Sequence, residues 1–460
     1  MLCSTHGKAI IIVSTRLQTD GSLTRMHLTI SNQTQDDLRC TLRGVSQEDH
    51  VLIIQAHSKL ISFSQKCSLL EVSRHTWNNA TKEHEAISTE PVSVTMHLDF
   101  GAAARWKLVN APADSEWVVY RNKLSRKHHC LLIFPRRDTS RFLSLIPDSA
   151  PLSSLMLPGT HDTMAFYGWP IAQCQSPSTS LERQLHSGIR VLDIRLAIVD
   201  SHLISYHGIY PERALFAEIL STVHTFLTTP STSGETIVMS IKQEDSDTHH
   251  FSKLVRQEIV ASPGGLGMWY LENRLPTLGE VRGKVVMFSR FGGNGDGWDN
   301  AAIGIHPSIW PDNDRNGFIW NCQDALVQTH DWYAIPSFLS IPEKVALSTN
   351  ILVASRDSSS LSISFLSALS IPLALPPTMA RGLGWPQWGI GFEGVNARVG
   401  KWLLDRFDEG DVDGKSRISG WALMDFYEDP TGQSVVPLLV ECNFRGKKDG
   451  RESRKYSFKF

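Results

Sequence analysis

From about residue 150 onward the chain alternates apolar runs of four to seven residues with amphipathic segments, and this rhythm limits the possible folds more than any other feature. A short apolar run bounded by turn residues reads as a buried strand. An amphipathic segment between two such runs reads as a crossover helix, and the combination calls for parallel strands. The candidate strands are SLMLPG, RVLDIRL, LISYHG, TIVMSIK, KVVMFSRF, FIWNCQD, SISFLSA and GWALMDFY. SLERQLHSG, ALFAEILSTVHTFLTT and GVNARVGKWLLDRF fit as helices between them. In the second helix Phe216, Ile219, Leu220, Val223, Phe226 and Leu227 share one face, which makes them core positions. The reading is an α/β fold, a TIM-like (β/α)8 barrel with room for distortion.

Residues 1–145 have a different texture. RMHLTISNQ, DHVLIIQAHS, VSVTMHLDF and EWVVYRN alternate at strand period between polar turns, with no long helical pattern. They predict an all-β, sandwich-like N-terminal domain of unassigned role. Residues 146–444 form the barrel domain. Residues 445–460 form a basic tail in which Arg445, Lys447, Lys448, Arg451, Arg454, Lys455 and Lys459 face only Asp449 and Glu452. A length of 460 residues suits two or three domains.

The formal charge of −2 offers no global field for nucleic acid, so any polyanion must be bound locally. None of the seven cysteines forms a CxxC pair, which argues against a zinc ribbon. Asn32 and Asn79 lie in N-x-T sequons. The opening apolar run, AIIIV, is too short for the core of an export signal, and LSISFLSALSIPLALPP is broken by serine and proline. The expectation is a soluble protein, cytoplasmic or peripheral to a membrane.

In a barrel of this kind the reactive residues stand at the carboxyl ends of the strands. The first predicted strand ends at His161 and Asp162. The second carries Asp193 and Arg195, two apart and so on one face. The third ends at His207, the fourth at Lys242, the fifth at Arg290, the sixth at Asp324, and the last at Asp425. Asp193 has either Arg195 or Lys242 as an ion-pair partner. Gathering so many charges is costly unless they pair or bind something. Two imidazoles among three cations suit an anion undergoing proton transfer, with a phosphodiester the natural candidate. One imidazole takes a proton from the nucleophile, the other returns one to the leaving oxygen, and a guanidinium stabilises the charge between them.

In this order, LPGTHDT, GIRVLDIRL, YHG, ETIVMSIK, PTLGEVRGKVVMFSRF, CQD and LMDFYED resemble the X domain of phosphatidylinositol-specific phospholipase C. The resemblance runs from about Leu145 to Asp429 and is nearest to the metal-independent bacterial enzymes and their fungal relatives. It implies that His161 is the general base, oriented by Asp425, acting on the inositol 2-hydroxyl. It implies that His207, partnered by Asp162, is the general acid on the diacylglycerol oxygen, and that Arg195 contacts the phosphate. Asp193, Lys242, Arg290 and Asp324 would then line the inositol pocket. The implied products are cyclic inositol phosphate and diacylglycerol, the implied partner is a phospholipid met in transient contact with a membrane surface, and no cofactor or metal is called for. Calcium-dependent members of the family carry carboxylates where this chain has Arg195 and Lys242. The bacterial pattern also places an aromatic residue two positions after the pocket aspartate. Counting from Asp324 that position is Leu326, which leaves Tyr333 or a nearby tryptophan to supply the ring.

Two other readings remain at this level. One is a metal-dependent glycerophosphodiesterase or sphingomyelinase D-like enzyme, which would need a carboxylate cluster beside the first histidine. The other is a non-catalytic barrel that binds lipid or glycan.

Overall fold

The computed structural model describes residues 26–44, 49–64, 67–75, 93–98, 106–245, 250–292, 298, 303–355, 359–372, 374–386, 390–410, 416–430 and 434–445. Asn79 and the basic tail beyond Arg445 lie outside them. The chain divides into two compact units, Met1–Arg137 and Asp138–Phe460.

The first unit is built from two sheets. One runs in the order Lys59–Ser64, Met26–Asn32, His128–Pro135, Trp117–Lys123, Trp106–Leu108, and the other in the order His50–Ile54, Leu38–Gly44, Cys67–Arg74, Val94–His97. Alternate residues from both, among them Leu28, Ile30, Leu38, Leu70, Val72, Val119, Leu131 and Ile133, form one buried cluster. That shared core is what the period-two patterning calls for in a sandwich. Asn32 of the first sequon is fully buried. Its amide donates to the carbonyls of Asp36, Ile54 and Gln55, so the folded unit closes that sequon to modification.

Among the described residues, the second unit has seven parallel strands of five residues or more: β1 (Met156–Thr160), β2 (Val191–Val199), β3 (Ile237–Gln243), β4 (Val285–Arg290), β5 (Ala325–His330), β6 (Leu361–Phe365) and β7 (Gly420–Met424). Their order across the sheet is β4-β3-β2-β1-β7-β6-β5. The helix Phe216–Thr228 buries the six side chains that its pattern assigns to the core. The TIM-like α/β barrel is therefore the architecture, in a distorted form. Among the described residues no ladder joins β4 to the far edge of the sheet. The outer side of β4 is covered, among the described residues, only by Trp269–Tyr270 and by a single parallel bridge from Phe288 to Ile305.

Two of the eight predicted strands are not barrel strands. LISYHG forms an antiparallel arm, His202–His207, folded back on the extension of β2 and paired in turn with Tyr210–Leu215. Its alternating burial is that of a half-exposed ribbon rather than a fully buried parallel strand. FIWNCQD is likewise a hairpin arm, antiparallel to β5, and it leaves Gln323 and Asp324 as a two-residue loop between the paired Cys322 and Ala325.

At the amino end of the barrel, Arg190 and Glu235 form a fully buried ion pair, with Arg190 Nη2 2.8 Å from Glu235 Oε2. Arg190 also donates to the carbonyls of Thr139 and Ser140, and Glu235 accepts from the Leu143 and Ser144 amides. These bonds fasten Thr139–Leu145, which sequence texture alone groups with the β-module, onto the barrel.

Candidate active site

The turn after β1 separates its two polar residues. His161 N donates to Met424 O of β7 at 3.0 Å, which continues the ladder by one residue. Asp162 then adopts φ 38°, a left-handed conformation that aspartate tolerates better than most residues. Its amide donates to Asp193 Oδ2 at 3.1 Å. His161 therefore points towards β7 and Asp162 towards β2, so the sequence neighbours serve different partners.

His161 Nδ1 lies 2.8 Å from Asp425 Oδ1, the first residue beyond β7. Asn396 holds that turn by donating to the carbonyls of Asp425 and Phe426. Arg195 Nη2 donates to His161 Nε2 at 2.6 Å. Nε2 therefore carries the lone pair and Nδ1 the proton, which is donated to Asp425.

His207 returns to the mouth at the tip of its hairpin, before Gly208 at φ 57°. Its Nδ1 donates to the Ala172 carbonyl at 2.6 Å and stands 3.5 Å from Asp162 Oδ2. The two imidazole rings face each other edge-to-face with centroids 6.3 Å apart.

Between and beneath them lies an ion network. Arg195 Nε donates to Asp193 Oδ2 at 3.1 Å, and its Nη1 reaches Glu244 Oε1 at 3.4 Å. Arg290 Nη1 is 3.3 Å from Asp193 Oδ1, and Lys242 Nζ is 2.6 Å from Glu244 Oε1. Asp193 thus pairs with the two arginines, and Lys242 pairs with Glu244. Sequence reasoning missed Glu244, although its spacing of two from Lys242 puts both on one face of the chain. Burial acts to raise the Asp193 carboxyl, but Arg195 and Arg290 outweigh it and hold the group well below the ordinary range. Asp162 behaves differently: burial pushes it up to about 8 against the opposing charge of Arg195. Burial and Arg195 together lower His207.

Asp324 is not at this mouth. It lies exposed in the hairpin loop before β5, at the amino end of that strand, because the predicted sixth strand is the antiparallel arm. The carboxyl end of β5 delivers Asp331 instead. Trp310 Nε1 donates to Asp331 Oδ2 at 3.0 Å, and Tyr333 OH donates to Asp312 Oδ1 at 2.8 Å. Tyr333 stands two positions after Asp331, the spacing sought around Asp324. The signal that finds this pair is THDWY following the apolar start of β5. Arg290 packs over Trp310, 3.9 Å from its centroid. His306, also unforeseen, lines the cavity from the segment bridged to β4, with Nδ1 3.0 Å from the Ser289 carbonyl.

His161, Arg195, His207, Lys242, Glu244, Arg290, Asp331, Tyr333 and Asp425 all line one cavity of about 680 Å³, large enough for a sugar ring and a phosphate. The fold and this lining define an α/β-barrel protein whose carboxyl-end mouth carries two imidazoles and a cluster of cations.

Comparison with known proteins agrees with that class. Residues 149–291 match the family model for phosphatidylinositol-specific phospholipase C, X domain. A 1-phosphatidylinositol phosphodiesterase of Listeria monocytogenes is 33% identical over 165 residues, which cover 33% of this chain and 49% of the relative, so that match spans about half of its length. A Staphylococcus aureus protein of the same description is 25% identical over 325 residues, covering 67% of this chain and 95% of the relative. A solved structure of the S. aureus phosphatidylinositol-specific phospholipase C superposes with a TM-score of 0.53 at 21% identity, over 66% of this chain and 98% of the other, a likeness of fold. The barrel unit is thus similar to the phosphatidylinositol-specific phospholipase C X-domain family, and the relatives it matches here are bacterial.

Proposed function

We propose that the barrel unit cleaves phosphatidylinositol-type phosphodiesters by attack of the inositol 2-hydroxyl on the adjacent phosphorus. The observation that carries this reading is the pair of imidazoles 6.3 Å apart, each with its own carboxylate and with Arg195 reaching the space between. His161 Nε2 takes the 2-hydroxyl proton. The freed oxygen forms a bond to phosphorus, the bond from phosphorus to the glycerol oxygen breaks, and His207 Nε2 gives that oxygen its proton. The products are cyclic inositol phosphate and diacylglycerol.

Arg195 has two tasks in this scheme. In the free protein its Nη2 fills the position at His161 Nε2 that the substrate hydroxyl needs. Substrate entry shifts the guanidinium onto the phosphate oxygens, where it stabilises developing charge. Burial raises Asp162 and, together with Arg195, lowers His207, so in the free protein the carboxyl holds the proton, and the charge of the bound phosphate draws His207 into its acidic form. Asp331 and Tyr333 take the inositol-binding roles that the sequence pattern had placed at Asp324 and its neighbour, with Lys242 and Arg290 beside them. Calcium takes six to eight oxygen ligands. Three cations around the phosphate position make that coordination unfavourable and replace its charge, so the reaction is read as calcium-independent.

No helix among the described residues is long and apolar enough to cross a membrane. Trp169, Ile209 and Ile371, each more than two-thirds exposed, sit on three loops leaving the mouth. They suit shallow insertion into a lipid surface that presents the substrate.

The test is incubation with phosphatidylinositol vesicles, with and without EDTA, followed by phosphorus NMR. Cyclic inositol phosphate formed in EDTA is the expected result. Activity abolished by EDTA would favour a metal-dependent phosphodiesterase, and no turnover would favour a binding protein. His161→Ala and His207→Ala should each lower turnover about 10²–10⁴-fold in a folded protein. Wild-type rates in either would overturn the acid–base assignment.

A further inference from the structure

Beneath the two imidazoles lies a group that the proposed reaction does not use. Cys174 is fully buried with a free thiol, and its Sγ is 3.8 Å from His207 Nδ1. Asp162, 1% exposed, turns Oδ2 towards the same point, and that oxygen accepts no hydrogen bond among the described residues. It stands 3.5 Å from His207 Nδ1. Oδ2, Sγ and Nδ1 all fall within 4.8 Å of one another.

We propose that Asp162, Cys174 and His207 form an inhibitory site for a thiophilic divalent cation of the zinc type, with its fourth position open to the cavity. Zinc bonds of about 2.0–2.3 Å in tetrahedral array set neighbouring ligand atoms roughly 3.3–3.6 Å apart. The two measured edges, 3.5 and 3.8 Å, therefore need adjustments of only a few tenths of an ångström. Donor chemistry separates this site from a calcium site, because one sulfur, one nitrogen and one oxygen suit a borderline-soft ion and not one that seeks oxygen.

The carboxylates of Asp162 and Asp425 each bring an oxygen within 4.8 Å of the thiol sulfur, and a dication there takes up the thiolate as the proton leaves to solvent. Two costs oppose binding. Arg195 Nε is 3.7 Å from Asp162 Oδ2, and His207 Nδ1 must give up its bond to the Ala172 carbonyl and move its proton to Nε2.

The consequence for turnover rests on the phosphodiesterase reading, whereas binding does not. A histidine ligated through Nδ1 cannot become imidazolium, so the general acid is lost while the metal stays. Substrate phosphate would meet the same ion at its open position.

The test adds Co²⁺ to the purified full-length chain and follows thiolate-to-metal charge-transfer absorption, in parallel with Zn²⁺ inhibition of turnover. The expected result is one equivalent of cobalt showing the thiolate band, together with at least tenfold inhibition by zinc that EDTA reverses. In Cys174→Ala, checked for folding by circular dichroism, the band disappears and the metal-free rate stays within about twofold of wild type. That variant then turns over equally with and without zinc. Asp162→Asn, read by absorption alone, should weaken cobalt binding at least tenfold. A missing band, or one that persists in folded Cys174→Ala, would overturn the site. If Cys174→Ala does not fold, Cys174→Ser serves for the same readings. A band without zinc inhibition in an active enzyme would overturn the inhibitory role. Absence of turnover altogether would leave the absorption result to decide the site and would instead sink the phosphodiesterase reading.

Discussion

Asp324 and Asp331 lie seven positions apart in sequence and at opposite ends of one strand. The first stands in a hairpin loop before β5, and the second leaves its carboxyl end into the cavity. Asp331→Ala should raise KM for phosphatidylinositol at least tenfold, whereas Asp324→Ala should leave both kinetic constants within twofold. The reverse pattern in steady-state assays would return the headgroup contact to Asp324. A second residue-scale consequence concerns pH. Burial raises the folded-state pKa of the Asp162 carboxyl to about 8, above its unfolded value of about 4. Its contribution to stability is therefore complete below about pH 4 and lost as pH rises towards 8. Asp162→Asn lacks that loss, so its melting temperature relative to wild type should rise between pH 5 and pH 8.5. A relative stability that stays level over that window would show that Asp162 is ionised throughout.

Strand ends were legible in the sequence wherever a continuous apolar run meets a charge. His161, Arg195, Lys242, Arg290 and Asp425 all stand where that rule puts them, because a buried parallel strand leaves its polar residues only at the mouth. The rule fails at the two antiparallel hairpins. His207 reaches the site on a returning arm, and its apparent success as a strand end hides a different connection. FIWNCQD is half-exposed on alternate residues, a pattern the eye merges with its hydrophobic content. Glu244 and His306 needed the three-dimensional register, since neither ends a run of apolar residues. The opposite end of the barrel supports a prediction of another kind. Arg190→Met would strand Glu235 without its cation at the buried amino ends of β2 and β3, at a cost of about 3–5 kcal/mol. Urea unfolding should report that loss, while kcat of the folded fraction stays near wild type. A large change in kcat would mean that this end of the barrel communicates with the mouth.

For the whole molecule, a net charge of −2 leaves attraction to anionic lipid weak, so the proposed contact with vesicles would depend on apolar side chains at the mouth. Trp169→Ala combined with Ile209→Ser should reduce turnover of vesicle-borne phosphatidylinositol at least fivefold. Cleavage of a short-chain phosphatidylinositol dispersed as monomers should change by less than twofold. Vesicle turnover that falls steeply with salt instead would assign the contact to basic residues.

The edge beside β4, unpaired to the far side of the sheet among the described residues, has an evolutionary consequence. A ring of strands closed all round must satisfy strand number, tilt and stagger together, so lengthening any one connection disturbs the fit of the rest. A ring cut at one place is released from that closure condition. The connection spanning the cut, between Phe291 and Gly317, can gain or lose residues without shifting any ladder from β4 round to β5. Family members should therefore differ most in length there, and headgroup preference can diverge through that one segment while the proton-transfer pairs stay in register.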